Sequence, residues 1–207
     1  MGSVMLDITM SLDGFVTAPD DRPGRGLGVD GEVLHYWVFG GPWKYEDYER
    51  DGEGLKPDAV QLDPADRAVL DEGAHAGAIV VGRRMYDMTD GWGGRNPFGV
   101  PCLVVTHRVE DQPDPSAGFV FVDGVETAIE RARELAGGKP IGLGGGASVA
   151  RQALRAGLVD EIQIHIAPVI LGEGRTLFGV LGERVRLERT RVLDSPYATH
   201  LRYRVLR

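Results

Sequence analysis

Apolar residues along this chain fall into short blocks, and the blocks switch between two periods. Ser3-Val-Met-Leu-Asp-Ile-Thr-Met10 is rich in apolar residues and predicts a first strand, broken at Ser11-Leu-Asp-Gly14. Ala78-Ile-Val-Val81, Cys102 to Thr106 and Phe119-Val-Phe-Val122 are almost wholly apolar, as expected for strands covered on both faces. Glu161 to Leu171 begins with alternation: Ile162, Ile164 and Ile166 take one face, Gln163 and His165 the other. Between these blocks the period lengthens. Leu34, Trp37 and Val38 predict a short helix over Glu32 to Phe39, stopped by Gly40-Gly-Pro42. Asp63 is placed to cap a helix with Pro64 in its first turn, and Gly73 ends it. Val125 to Ala136 carries Ala128, Ile129, Ala132, Leu135 and Ala136 on one stripe. A further helix runs from Ala147 to Ala156, closed by Gly157. Val185 to Leu193 and Thr199 to Leu206 predict two antiparallel strands joined at Asp194-Ser-Pro-Tyr197. Strand–helix alternation followed by a strand-rich tail predicts an α/β sheet, mainly parallel, with antiparallel C-terminal strands.

Pro140-Ile-Gly-Leu-Gly-Gly-Gly-Ala-Ser-Val-Ala150 adds chemistry to this frame. It is a short strand that turns through three glycines into a helix. Free N–H groups at such a helix start, together with roughly half a positive charge from the helix dipole, make a place for a phosphate. Three strands end in polar or glycine turns: Gly82-Arg83-Arg84, Thr106-His107-Arg108, and Gly144-Gly145-Gly146 with Ala147-Ser148. Ligands of open parallel sheets bind outside the carboxyl ends of the strands. If these strands are neighbours, arginines, a histidine and a glycine nest meet at one cleft, and NADPH has the phosphates to match. Each piece has a plainer alternative. Arg83 and Arg84 could face solvent, Thr106 could simply end a strand, and the glycines could form a tight packing turn.

The 207 residues suggest one domain, and 43% apolar with 26% charged residues fit an ordinary globular protein. A net charge of -8 argues against general nucleic-acid binding, yet a local arginine cluster can still hold an anionic cofactor. Five acids between Glu46 and Glu53 mark residues 43–62 as an exposed acidic loop or lid. The single cysteine, Cys102, reads as a small buried hydrophobe in a strand. No apolar run spans a bilayer and no signal peptide is visible, so a cytoplasmic location without membrane contact is expected. The scattered histidines (His35, His75, His107, His165, His200) offer no metal-ligand spacing. Gly142 to Ala147 only partly mimics a Rossmann fingerprint, and Asp160 and Glu161 come too early to be its ribose ligand.

Thr9-Met-Ser-Leu-Asp-Gly-Phe15, Val80 to Asp87, Gly144 to Ser148, and Leu158 to Ile162 through Ala167 to Gly172 together resemble the dihydrofolate-reductase-like superfamily. The branch is that of the C-terminal reductase domain of bacterial riboflavin-biosynthesis proteins. The resemblance implies a three-layer α/β/α fold, NADPH as hydride donor and a homodimer. It implies that Gly82, Arg83 and Arg84 contact cofactor phosphates and that Thr106, His107 and Arg108 lie near the adenosine. Gly144, Gly145, Gly146, Ala147 and Ser148 would cradle the pyrophosphate. The loop holding Asp13, Gly14 and Phe15 would cover the nicotinamide. The substrate would be a small flat heterocycle, pterin-like or aminopyrimidine-like, or a carbonyl compound. The proton would come from Asp13, Glu32 or water, although Asp13 could cap a turn and Glu32 could be a surface acid at a helix start. Trp37 is placed to stack on the substrate or to fill core. The competing expectation is a dinucleotide- or flavin-binding module without turnover.

Overall fold

The computed structural model describes residues 2–46 and 61–207. Eight strands form one sheet in the order β5-β4-β3-β6-β1-β7-β10-β9. These are β1 (Val4–Ser11), β3 (Ala78–Gly82), β4 (Cys102–Val105), β5 (Phe119–Val122), β6 (Ile141–Gly144), β7 (Glu161–Ala167), β9 (Arg186–Asp194) and β10 (Thr199–Leu206). The pairings from β5 across to β7 are parallel, and β10 and β9 close the sheet antiparallel. Two short strands that the sequence pattern does not reveal, β2 (Phe15–Thr17) and β8 (Arg175–Thr176), pair in a separate ribbon.

Alternation decides what each face carries. Val4, Leu6, Val80, Leu103, Ile141, Leu143, Ile162 and Ile164 point to one side. There they pack on helices α3 (Val125–Leu135) and α4 (Ala147–Arg155). Burying such side chains stabilises by about 1.5–3 kcal/mol each. Among the described residues, helices cover the opposite face only at its two ends. At one end α2 (Arg83–Met88) lays Met85 and Tyr86 on Val81, Val104, Phe119 and Phe121. At the other, α1 (Pro64–Gly73) brings Val69 against Trp37 and Ala198. The layers are therefore helix, sheet, helix, and the described residues leave a gap in the second helical layer.

Several expectations shift at their edges. The predicted helix over Glu32 to Phe39 is a 3-10 turn, Gly31–His35, entered through Asp30 at φ 55 without a side-chain cap. Leu135 is 46% exposed and leaves the buried stripe of α3, which consists of Val125, Ala128, Ile129 and Ala132, with Ala136 just beyond. β7 ends at Ala167 rather than Leu171, because Pro168 has no N–H to extend the ladder. The expected acidic loop or lid over 43–62 falls largely on residues 47–60, outside the described residues. Among the described residues no helix is long and apolar enough to cross a membrane.

Cys102 is fully buried in β4, and burial pushes its thiol up to about 12. The native protein should therefore leave an aromatic disulfide reagent unreacted at pH 8 and consume one equivalent once unfolded in guanidinium. Rapid reaction of the folded protein would contradict this burial.

Candidate active site

The parallel pairing brings the carboxyl ends of β3, β4 and β6 to one rim of the sheet. Behind that rim, between α1 and α2, lies a cleft of about 2370 Å³. Gly82, Arg83, Arg84, Thr106, His107, Arg108, Gly144, Gly145, Gly146, Ala147 and Ser148 all line it. Its floor is the thinly covered sheet face. In β6 the two apolar residues turn to the core and the two glycines turn to the cleft. A β-carbon on Gly144 would meet nothing within 4 Å.

The glycine turn is shaped by the protein itself. Gly145 and Gly146 hold φ 74 and φ 98, a region that favours glycine. A β-carbon on Gly145 would fall 1.8 Å from Met85 Sδ, and one on Gly146 would lie 3.5 Å from the backbone of Gly82. The Gly82 N–H donates to the Gly145 carbonyl at 3.3 Å. The turns after β3 and β6 thus interlock, and Met85 fills the space beside Gly145. α4 starts at Gly146 without a side-chain cap. Its first N–H groups have no acceptor within the helix and open toward the cleft wall.

The arginines are partly neutralised, which the sequence pattern did not reveal. Arg83 lies 2.7 Å from Asp87 and 3.7 Å from Asp111, with its guanidinium 4.8 Å above the Phe121 ring. Its Nη1 is buried without a hydrogen-bond partner. Arg108 faces the same two acids at 3.5 and 3.9 Å. His107 is 95% exposed and contacts Asp123 at 2.7 Å. Arg84 and Arg175 instead share one carboxylate, Asp21, at 2.7 and 2.9 Å. Burial opposes ionisation of Asp21, but hydrogen bonds from Arg175 and Arg84 outweigh it and hold the carboxyl below its usual range. Among the described residues Arg151 donates to the carbonyls of Thr176 and Leu177 and meets no carboxylate. Positive charge in excess of its partners therefore gathers at Arg84, Arg175 and Arg151, which all line the cleft.

These residues fit a phosphate-bearing dinucleotide. The turn leaves room at Gly144, α4 offers unpaired amides, and the rim carries surplus guanidinium charge. Two buried polar atoms of the lining, Thr17 Oγ1 and Arg83 Nη1, have no hydrogen-bond partner among the described residues.

Other expected site residues lie elsewhere. Asp13 is exposed on the outer side of its turn and does not line the cleft. It accepts from Ser11 Oγ at 2.6 Å and from the N–H groups of Leu171 and Gly172. The Ser11 hydrogen bond, with those amides, holds its carboxyl below the usual range, which suits a turn clasp and not a proton donor. Gly14 and Phe15 do not line the cleft either; Val16 and Thr17 of the same segment do. Glu32 is only 3% exposed, so it is not a surface acid. One of its oxygens accepts from the Tyr45 N–H at 3.4 Å, the other is unpartnered, and it too is absent from the cleft lining. Trp37 does reach the lining, but it is 5% exposed. Its ring face is taken by His165 at 4.3 Å, and its Nε1 donates to Thr9 Oγ1 at 3.0 Å. The aromatic wall is formed instead by Phe39, Trp43 and Tyr45, edge to face with centroids 5.0 Å apart. The charge of the 43–62 stretch hid its two leading aromatics.

A polar group on the cleft floor was also missed. Asp7 interrupts the apolar β1 and faces the cleft, its side chain 28% exposed. One carboxylate oxygen lies 2.7 Å from His165 Nε2, and the other accepts from Gln163 Nε2 at 3.1 Å. His165 and His200 meet Nδ1 to Nδ1 at 2.7 Å, and His200 Nε2 lies 2.8 Å from Asp66 Oδ1. An acid within an apolar strand, beside the alternation of Gln163 and His165, was the available signal. The strand pairing that joins them was not readable.

Relatives share this frame. A solved protein of Shewanella sp. PV-4, described as a candidate riboflavin biosynthesis protein, aligns with TM-score 0.70 at 22% identity, covering 100% of both chains. A pyrimidine reductase-like protein of Corynebacterium diphtheriae aligns with TM-score 0.62 at 18% identity, over 100% of this chain and 92% of the other. Dihydrofolate reductase of Enterococcus faecalis, solved with NADP(H), aligns with TM-score 0.62 at 17% identity, over 99% and 96%. In sequence, the uncharacterized protein YyaP of Bacillus subtilis (strain 168) is 36% identical over 93 residues, 44% of this chain. That match spans 48% of YyaP's own length. The dihydrofolate-reductase-like architecture is thus common to all the structural relatives named here. The model of the RibD C-terminal domain matches residues 2–200, so the strands, the glycine turn and the cleft they frame all lie within it, and the chain belongs to the RibD C-terminal domain family.

Proposed function

We propose that this protein is an NADPH-dependent reductase that delivers hydride to a small flat heterocycle, pterin-like or aminopyrimidine-like, or to a carbonyl compound. The observation that carries this reading is the meeting of three strand-end turns on one cleft whose floor is left open at Gly144. The bound nicotinamide supplies the hydride, and the protein's share is binding and orientation. The turn Gly144 to Ser148 and the start of α4 hold the pyrophosphate. Arg84, with Arg175 beside it, takes the extra phosphate of NADPH, while Arg83 and Arg108 are held by Asp87 and Asp111 and serve mainly to shape the rim. Thr106 and His107 flank the adenosine end. The aromatic wall of Phe39, Trp43 and Tyr45 gives a flat substrate an apolar surface.

Purified protein should bind NADPH and oxidise it when offered a dihydropterin, an aminopyrimidine or a benzoquinone. Replacing Arg84 by Ala should weaken NADPH by about tenfold and leave NADH within about twofold, since one charge-assisted contact is worth about 1.5–3 kcal/mol before screening. Fluorescence titration of both dinucleotides measures this. Equal losses would show that Arg84 does not read the extra phosphate. Failure to bind either dinucleotide would remove the reductase reading.

A further inference from the structure

The floor of the cleft ends in a buried line of four groups: Asp7, His165, His200 and Asp66. Its contacts are 2.7, 2.7 and 2.8 Å, so each is a hydrogen bond and each contains one hydrogen. Two neutral imidazoles bring one N–H apiece, and ionised carboxylates bring none. Three bonds therefore need one hydrogen more than that state holds. With the extra hydrogen on Asp66, His200 accepts at Nε2 and donates from Nδ1, and His165 accepts at Nδ1 and donates from Nε2 to an ionised Asp7. If all three hydrogens shift along their bonds, Asp66 becomes the carboxylate and Asp7 the carboxylic acid. Neither arrangement requires a heavy atom to move.

The two ends differ in access. Asp66 and both histidines are at most 2% exposed, and Trp37 lies over His165. Among the described residues Asp66 Oδ2 is buried without a partner, so a neutral carboxyl there avoids an uncompensated buried charge. Asp7 is the exposed end, its side chain 28% exposed to the cleft, next to Gly144 in register across the β1–β6 pair. We propose that this line stores one proton and that Asp7 is the catalytic acid that delivers it to the substrate, with His165, His200 and Asp66 as positioning residues that recharge Asp7. The proposal rests on the reductase reading. As hydride from the reduced nicotinamide dinucleotide forms the new C–H bond, the C=N or C=O π pair moves to nitrogen or oxygen. That atom takes the hydrogen from Asp7, whose O–H bond breaks. That O–H exists because, before the transfer, the three hydrogens of the line shift one place toward Asp7 and leave Asp66 ionised. After product leaves, solvent reprotonates Asp7 and the line resets. One hydride and one proton are consumed per turnover.

Other ionisable groups face the line from each neighbouring element. Glu72 comes from α1, His35 from the 3-10 turn, Glu161 from β7, Arg202 from β10 and Arg191 from β9. Arg191 and Arg202 both contact Glu72, and Arg202 also contacts Glu161 at 2.6 Å. Arg191 donates to Gln163, which donates to Asp7. These ion pairs carry their own counter-charges, so the line's extra hydrogen is not needed to neutralise them. Burial, then the neighbouring His165, lowers the pKa of His200, which keeps its ring neutral near pH 7.

The test needs no substrate in its first arm. In protein labelled with 15N-histidine, long-range proton–nitrogen spectra should show His165 and His200 as opposite tautomers, one Nδ1–H and one Nε2–H, from pH 6 to 8. Two rings in the same tautomer, or rings that titrate independently near pH 6.5, would overturn the stored proton whatever the activity. The second arm uses Asp66→Asn, whose amide can still donate to His200 but cannot release a proton. With NADPH and the dihydropterin, aminopyrimidine or quinone acceptor, wild-type kcat should be flat from pH 6 to 8. In Asp66→Asn it should fall about tenfold per pH unit. Asp7→Asn should lose at least about 100-fold in kcat with NADPH affinity unchanged. A flat Asp66→Asn profile, or an active Asp7→Asn, would overturn delivery through Asp7. If no acceptor is reduced, the reductase reading fails, and with it delivery, while the tautomers still decide whether the proton is stored.

Discussion

Replacing Gly145 by Val should cost this protein at least about 100-fold in NADPH affinity while its sheet stays folded. The β-carbon alone would sit 1.8 Å from Met85 Sδ, and the backbone at φ 74 strains a non-glycine residue by about 1–2 kcal/mol. The strain is relieved by moving Met85 or by moving the turn. Met85 lies between the turn and the Val81, Val104 and Phe121 cluster, so the turn gives way more readily. A turn that shifts by an ångström takes the α4 amides out of line with a phosphate. Every 1.4 kcal/mol lost is tenfold in Kd, so a loss of about 3 kcal/mol exceeds 100-fold. Calorimetric titration with NADPH measures the loss, and circular dichroism checks the fold. Gly145→Ala combined with Met85→Ala opens the space beside the new β-carbon and should recover most of the affinity. Undiminished NADPH binding by Gly145→Val would show that this turn is not the phosphate cradle.

The same glycines show what the chain disclosed and what it hid. Ile141 and Leu143 alternate with Gly142 and Gly144, and a strand running into a helix was plain from that pattern. Local periodicity also disclosed a mainly parallel sheet, the capped start of α1 at Asp63 and the antiparallel tail, but not the order of the strands. The use of the glycines was less visible. Gly145 is bare because Met85, sixty residues earlier in the chain, occupies its flank. The arginines behaved alike. Arg83 and Arg84 are adjacent and looked equivalent, but Asp87, one helical turn on, claims Arg83, while Arg84 reaches across to Asp21. The acid and base partners that matter most are long-range. Asp7 and His165 are 158 positions apart, and His200 and Asp66 are 134 apart. No window along the chain joins them; only the register of β1, β7 and β10, and the docking of α1, does so. Asp13 was singled out because it stands in a recognisable loop motif. Its partners, the amides of Leu171 and Gly172, again came from a distant segment.

Acid should destabilise this protein well above the carboxylate range, and His35 should be a main cause. Its ring sits in the 3-10 turn beside the cleft, and burial, aided by the nearby His165, lowers its pKa to about 4 from the ordinary 6.5. The unfolded chain takes up a proton on this ring near pH 6.5, whereas the folded protein resists until near pH 4. Stability from this group is therefore complete above about pH 6.5 and lost as pH falls toward 4, below which the loss stops growing. Two and a half pH units correspond to at most about 3.4 kcal/mol, and the ring's partial exposure to the cleft reduces that figure. His200, also lowered, first by burial, adds in the same direction. The paired carboxylates follow later. Asp21 and Glu72 are held below their ordinary values, Glu72 chiefly by the Arg191 hydrogen bond, so their contribution fails mainly below pH 4.5. The window from 6.5 to 4 thus isolates the histidines. Urea midpoints of wild type should fall steeply across it, and those of His35→Gln should fall by clearly less, leaving the share of His200. Parallel curves for the two proteins would mean that His35 is as easily protonated in the fold as out of it, and that this side of the cleft admits water freely.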